Sequence, residues 1–398
     1  MSALRDKFLA RVYGGKSKDI DPEIINATSI ELKNGMVKGY GSNFEDVTVD
    51  SNDFEMLSNL ENSVYSFSAA KNYQELKVLT DLITDSSGAI RPFSEFRAEA
   101  EKVFKSFNED WLSTEYGTAI NGAMQASRWT DYTKNKKAMP YLRYVTAGDS
   151  RVRDSHKSLD GVVKRIDDNF WNSYYPPNGY NCRCTTTQTG QSKESSDGSI
   201  NYPSVNPMFK VNLAKQGLIF PKDHPYYNGV PKEILRKALA YLPPENTYRT
   251  VNLGDGVTVQ EHAMVQHEEE RLVNRPIAKV LGEKHNVKLL PQISEKDTEA
   301  RIAHYGKNYA GKHTASCPDA FVDDDIFEFK HVDKQRNMSK RVLQAANKAD
   351  NCVIIINEKL EESRINSFAS NQWAMDDRKN LKKLIVINNS KTFEFARP

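Results

Sequence analysis

The stretch Ser316–Lys330 constrains this chain more than any other: it reads Ser-Cys-Pro-Asp-Ala-Phe-Val-Asp-Asp-Asp-Ile-Phe-Glu-Phe-Lys. Ala320-Phe321-Val322 and Ile326-Phe327-Glu328-Phe329 read as two short strands, with Asp323-Asp324-Asp325 turning between them. Alternation along the second strand puts Glu328 and Lys330 on one face and Phe327 and Phe329 on the other. Such a hairpin can bring Asp319 beside Glu328. Two carboxylates meeting at one point hold a hard divalent cation through oxygen, and a lysine one pleat away can activate or orient a water. The plainer alternative is a solvated surface hairpin.

The surroundings add order. His262–Leu281 carries a helical pattern through Met264, His267, Leu272, Ile277, Val280 and Leu281, with Pro276 expected to kink or split it. Val287–Leu290 reads as a strand, Lys340–Ala349 as a helix, and Cys352–Ile356 and Leu384–Ile387 as buried-type strands. With Pro318, Asp319, Glu328 and Lys330 at the motif positions, this region resembles the PD-(D/E)xK nuclease superfamily. It is most similar to the tRNA-cleaving C-terminal domains of contact-dependent-inhibition toxins, with which it shares the helix ending in Ala349-Asp350 before an apolar strand. The resemblance implies Mg²⁺ or Mn²⁺ on Asp319 and Glu328, with Lys330 positioning or deprotonating the attacking water. It also implies an acid from the first helix, for which Glu270 is chosen among Glu268, Glu269 and Glu270. Gln344 is a candidate for holding substrate or the lysine. Lys312, His313 and Lys334 are candidate substrate contacts, and Tyr305 and Tyr309 could stack on bases. A metal-independent ribonuclease built on His304, His313 or His331 is the competing chemistry.

A second motif occupies the middle of the chain. Tyr141–Thr146 alternates like a strand, and Asp149 with Arg151 and Arg153 offers an ion-pairing cluster. Pro176-Pro177-Asn178-Gly179 forces a tight turn before Cys182-Arg183-Cys184. His156, Cys182 and Cys184 supply three metal-type ligands, one short of the usual four for structural zinc. The segment resembles the phage Mu F-like head-morphogenesis family at Thr146, Asp149, Arg151, Arg153, His156, Leu159, Gly161, Phe170, Trp171 and Pro176–Cys184. Arg153 and Gly179 stand where some relatives of that family carry further ligands. A packed, metal-free cluster is therefore the preferred reading over a structural zinc.

A chain of 398 residues suggests two or three domains. It is 38% hydrophobic and 27% charged, with a mean hydropathy of −0.66. It shows no apolar run long enough to span a bilayer and no secretory h-region, so no membrane partner is expected. A net charge of +2 leaves nucleic-acid binding to local patches. The expected fold is multidomain α+β. Residues 1–139 form a mainly helical region and 140–242 a small α+β head-morphogenesis module. Residues 243–256 form a Pro- and Gly-rich linker, and 257–398 an α/β restriction-endonuclease-like domain. Within this frame Phe54–Tyr65 and Tyr73–Thr84 read as separate helices, Phe93–Arg128 as one long amphipathic segment, Leu32–Thr48 as a strand or loop insertion, and Thr185–Ser199 as a polar loop. The two resemblances together imply a phage minor head protein carrying a nuclease effector, with tRNA preferred over DNA as substrate. Its partners would be portal or head proteins and an immunity protein, and its places the virion and the host cytoplasm. A purely structural head protein with an inactive nuclease fold is the alternative.

Overall fold

The computed structural model describes residues 2–191, 193–264 and 268–398, the side chains of residues 2, 236 and 268–271 excepted. The chain divides into two compact units: Met1–Asn43 with Asp50–Leu242, and Phe44–Val49 with Pro243–Pro398.

The first unit is built on helices α1 (Ser2–Tyr13), α2 (Pro22–Tyr40), α3 (Asn52–Asp81), α4 (Phe93–Lys105) and α5 (Leu112–Asn135). The Asp21 carboxylate caps α2 by accepting from the Ile24 N–H, Pro22 opens the helix, and Gly41 ends it at φ 84°. Residues 32–40 are thus helical where a strand or loop was expected. Their glycines serve helix packing and not a turn. A Cβ on Gly39 would lie 2.1 Å from the Ile120 carbonyl oxygen, and one on Gly35 would lie 3.0 Å from the Tyr116 ring. The two backbones of α2 and α5 meet there.

Helix α3 runs unbroken for 30 residues where two pieces were expected. Lys71 and Asn72 interrupt its apolar period, yet both are buried with partners. Lys71 pairs with Glu115 of α5, and the Asn72 amide oxygen accepts from the Asp21 N–H. The expected segment Phe93–Arg128 divides into α4, a π-helical turn at Ser106–Trp111, and α5. Phe8, Leu9, Val12, Ile24, Leu76, Leu79, Phe96 and Phe104 form one core cluster under these helices. A small antiparallel sheet follows in the order β2-β1-β3, from β1 (Tyr141–Val145), β2 (Val163–Arg165) and β3 (Thr185–Thr189). Strand β3 begins the stretch expected as a polar loop; its threonines pair along β1, where β-branched side chains suit a pleated surface.

The second unit holds an eight-stranded mixed sheet. Its strands are β4 (Tyr248–Asn252), β5 (Thr258–His262), β6 (Val287–Leu289), β7 (Ala320–Val322), β8 (Asp325–Val332), β9 (Asn351–Ile356), β10 (Lys383–Asn388) and β11 (Lys391–Ala396), lying side by side in sequence order. The expected linker 243–256 is instead part of this unit. Pro244 starts a short helix, Pro244–Thr247, and Gly254-Asp255-Gly256, all at positive φ, turn the β4–β5 hairpin. The turn residues resemble a break in the sequence because they close a hairpin.

The helical pattern that began at His262 starts later, as α6 (Glu268–Gly282), because His262 ends β5. His267 lies outside the described residues. Pro276 sits inside α6 without ending it; the carbonyl it cannot serve belongs to Leu272, which is exposed to solvent. Helices α7 (Thr298–Tyr305) and α8 (Lys307–Lys312) precede the β7–β8 hairpin. Parallel crossovers through α9 (Met338–Ala346) and α10 (Glu362–Trp373) then build β8-β9-β10. Val342, Ala345, Cys352, Ile354, Ile365, Leu384 and Val386 pack between these helices and the sheet.

Candidate active site

The β7–β8 hairpin turns at Asp323 and Asp324, with Asp323 at φ 53° and Val322 paired to Asp325. Asp319 enters β7 from a fixed backbone. Its N–H donates to the Phe327 carbonyl at 3.2 Å and its carbonyl accepts from Leu290 N–H at 2.9 Å. Its side chain is clamped as well: Oδ2 accepts from the Phe329 N–H at 2.7 Å and Oδ1 from Asn274 Nδ2 at 3.2 Å.

Glu328 projects from the middle of β8, opposite Cys352 of β9, and is buried. Its Oε1 lies 2.5 Å from Lys330 Nζ and 2.9 Å from Lys348 Nζ. Its Oε2 is buried and has no hydrogen-bond partner among the described residues. A buried oxygen without a partner in a low-dielectric place is costly, and a hydrogen-bond donor or a metal ion would satisfy it. Burial, and then the Glu328 charge, push the Asp319 carboxyl up to about 7. The residues present therefore fit a divalent ion: two close carboxylates, one offering a vacant buried lone pair and the other resisting ionisation without added positive charge.

Supporting contacts hold the frame. Glu261 on β5 is fully buried and bridges Arg249 of β4 at 3.0 Å and Arg275 of α6 at 2.9 Å. That triad ties α6 to the sheet next to Asn274. Buried Arg301 donates to the carbonyls of Ile293, His313 and Ser316, which fixes the approach to Pro318-Asp319.

The other candidates fall in different places. The side chain of Glu270 lies outside the described residues, although its backbone is on α6. Gln344 accepts from Arg341 at 2.9 Å, so its partner is a neighbour on its own helix and not Lys330. Lys334 is exposed beyond the end of β8. Lys312 pairs with Asp350 at 2.5 Å, and His313 stacks on Tyr309 with ring centres 4.8 Å apart; both line a cleft of about 490 Å³ with Tyr305, Asn351 and Lys382. The three histidines of the competing ribonuclease reading each have a different neighbour. His304 packs on His262, His313 on Tyr309, and His331 lies 3.2 Å from Asn357.

Sequence reasoning missed Asn274 and Lys348. Asn274 stands one turn along α6 from Glu270, at no motif position, and an amide there carries no sequence signal. Lys348 stands just past α9, four residues before the Cys352 that pairs with Glu328, and the parallel register is the signal that brings it there.

In the first unit His156 Nδ1 lies 3.6 Å from Cys182 Sγ and 3.5 Å from Cys184 Sγ, all three buried. These are three potential ligand atoms within 4.8 Å of one another. The hydrogen bond from Cys184 holds the Cys182 thiol low, against burial and with help from His156. Asp149 forms a two-point pair with Arg183 and a longer one with Arg151. Arg153, expected in that pair, instead donates to the Tyr180 carbonyl, which fastens the Asn178–Cys182 turn.

Two matches to known families fit these two regions. Residues 89–187 match the family of Phage Mu protein F like proteins, and residues 316–393 match the Contact-dependent growth inhibition CdiA C-terminal domain. The chain thus joins a Mu F-like segment to a segment similar to the CdiA C-terminal domain. It is 45% identical over 62 residues to the Mu-like prophage FluMu F protein of Haemophilus influenzae, covering 16% of this chain and 15% of that relative. It is 40% identical over 73 residues to the putative capsid assembly protein F of Escherichia phage Mu, covering 18% and 17%. No solved structure matches this chain. Among the described residues, no helix is long and apolar enough to cross a membrane.

Proposed function

We propose that this is a phage minor head protein whose second unit is a metal-dependent nuclease effector, cleaving tRNA by phosphodiester hydrolysis. The observation that carries the nuclease reading is the unpartnered Glu328 Oε2 beside the raised Asp319, with two ammonium groups on the other Glu328 oxygen. Asp319 and Glu328 would hold Mg²⁺ or Mn²⁺, which supplies charge at the phosphate and a more acidic water. Lys330, one pleat from Glu328, would orient the attacking water or take its proton. Asn274 and the Phe329 N–H keep the Asp319 oxygens aimed. The preference for tRNA over DNA rests on resemblance to tRNA-cleaving toxin domains, and the Mu F-like segment supports head or portal proteins as partners. An immunity protein in the producing cell and release into the host cytoplasm belong to the same reading.

The test is incubation of the full chain with total tRNA and with plasmid DNA, in Mg²⁺ or in chelator. Cleavage of tRNA in Mg²⁺ alone is the expected result. Cleavage of plasmid alone makes it a DNA nuclease, and cleavage of neither favours a structural head protein with an inactive nuclease fold.

A further inference from the structure

Glu328 carries one negative charge, yet two lysines converge on its Oε1. They are not equivalent. Lys330 is largely enclosed, with 17% of its side chain exposed, and also donates to its neighbour's carbonyl at Phe329. Lys348 leaves 47% of its side chain open to solvent.

The Lys348 backbone is anchored on two sides, while its half-exposed side chain reaches Glu328. Its N–H donates to the Ala345 carbonyl at 2.8 Å, and its own carbonyl accepts from the Tyr309 hydroxyl at 2.8 Å. Tyr309 belongs to the wall of a cleft of mixed charge, in which Lys312 and Lys382 both pair with Asp350. Lys348 thus holds its ammonium on the Glu328 carboxylate at the edge of solvent, with its backbone fastened to a residue of the cleft wall.

Charge decides what it does there. A divalent ion on Asp319 and Glu328 brings two positive charges against two negative ones, and Lys330 and Lys348 then leave the cluster with an excess of about two, counted as formal charges. Repulsion by the ion acts on both ammonium groups, and only Lys348 has solvent to move into. The mobile charge then needs an anion, and a phosphodiester is the anion this reading brings to the site.

Resting on the nuclease reading above, we propose that Lys348 is a substrate-binding residue. It leaves Glu328 when the metal enters and grips a non-bridging oxygen of the scissile phosphodiester, taking no part in proton transfer. Lysine serves as a point charge for phosphate.

The experiment compares the full-length wild type with Lys348→Ala and Lys348→Arg. Three readouts are taken: tRNA cleavage at several salt concentrations, Mg²⁺ affinity by calorimetry without nucleic acid, and thermal stability. In K348A, kcat/KM should fall at least tenfold, and the salt dependence should flatten by about one phosphate contact, a slope change of about 0.7 to 0.9. Mg²⁺ should bind several-fold more tightly, because a competing cation is gone from Glu328. K348R should retain cleavage within a few-fold. A K348A protein that cleaves like wild type, or loses cleavage only in step with its thermal stability and with an unchanged salt slope, overturns the assignment. A wild type that cleaves neither tRNA nor DNA removes the nuclease reading and this inference together, whereas a wild type that cleaves beside an equally active K348A removes the inference alone.

Discussion

Asn274 Nδ2 lies 3.2 Å from Asp319 Oδ1, so α6 reaches the motif carboxylate through a neutral amide. The amide stabilises the ionised form of Asp319 and fixes the direction of one lone pair. Asn274→Ala removes both effects without adding charge. Loss of such an orienting partner typically weakens metal binding about 10–100-fold. Calorimetric titration of the full-length variant with Mg²⁺ or Mn²⁺ reads the change, and an affinity equal to wild type shows that the contact is incidental.

The raised Asp319 makes a signed prediction for pH. Its pKa of about 7 in the fold exceeds the value near 4 of an unfolded aspartate. The native state therefore keeps a proton that the unfolded chain has released, and metal-free stability should decline as pH rises from about 4 to about 7. Asp319→Asn should flatten that decline. Below pH 7 the apparent Mg²⁺ affinity should drop about tenfold per unit, since one proton competes with the ion. Denaturant titrations in chelator between pH 5 and 8 test the first part, and a stability rising with pH through this range contradicts the assignment.

Glu261 carries two arginines in a buried triad between β4, β5 and α6. Glu261→Gln removes the buried carboxylate charge that both guanidinium groups contact, and breaking a buried ion pair typically costs about 3–5 kcal/mol. The transition of the second unit should shift accordingly in denaturant, and cleavage should weaken because α6 carries Asn274. A stability loss below 1 kcal/mol indicates that the site tolerates the charge.

Much of the second unit is legible in the sequence. The alternation Phe327-Glu328-Phe329-Lys330 fixes which side chains share a face of β8, and the apolar runs at Cys352–Ile356 and Leu384–Ile387 mark β9 and β10. What escapes are contacts set by register and packing. Lys348 meets Glu328 only because β8 and β9 pair in parallel with Cys352 opposite Glu328. Gly254-Asp255-Gly256 looks like a linker until β4 and β5 are seen to pair across it. Gly35 and Gly39 look like loop residues because the helix that needs them bare, α5, lies far along the chain. Glu328 and Asp319 could be nominated from residue type alone; Asn274 could not, because an amide beside a carboxylate announces no role.

Gly39 offers a direct check on that packing. Gly39→Ala drives a methyl into the Ile120 carbonyl, so α2 and α5 must separate. Overpacking of this kind costs about 1–3 kcal/mol or more. The same change at Gly15 meets nothing within 4 Å but sits at φ 67°, so any loss there comes from backbone strain alone. Thermal melts of the two variants should rank Gly39→Ala as the more damaging, and the reverse order argues against close contact of the two helices.

The central claim is that Asp319 and Glu328 hold the ion with which phosphodiester hydrolysis proceeds. The most direct measurement follows tRNA cleavage and Mg²⁺ binding in parallel for full-length wild type, Asp319→Asn, Glu328→Gln and Lys330→Ala. Loss of general acid–base help typically costs about 10²–10⁴ in rate, and loss of the ion should cost at least as much. All three variants should lose cleavage, while only the two carboxylate variants also lose Mg²⁺ binding. Undiminished cleavage by Asp319→Asn in the presence of chelator contradicts the account.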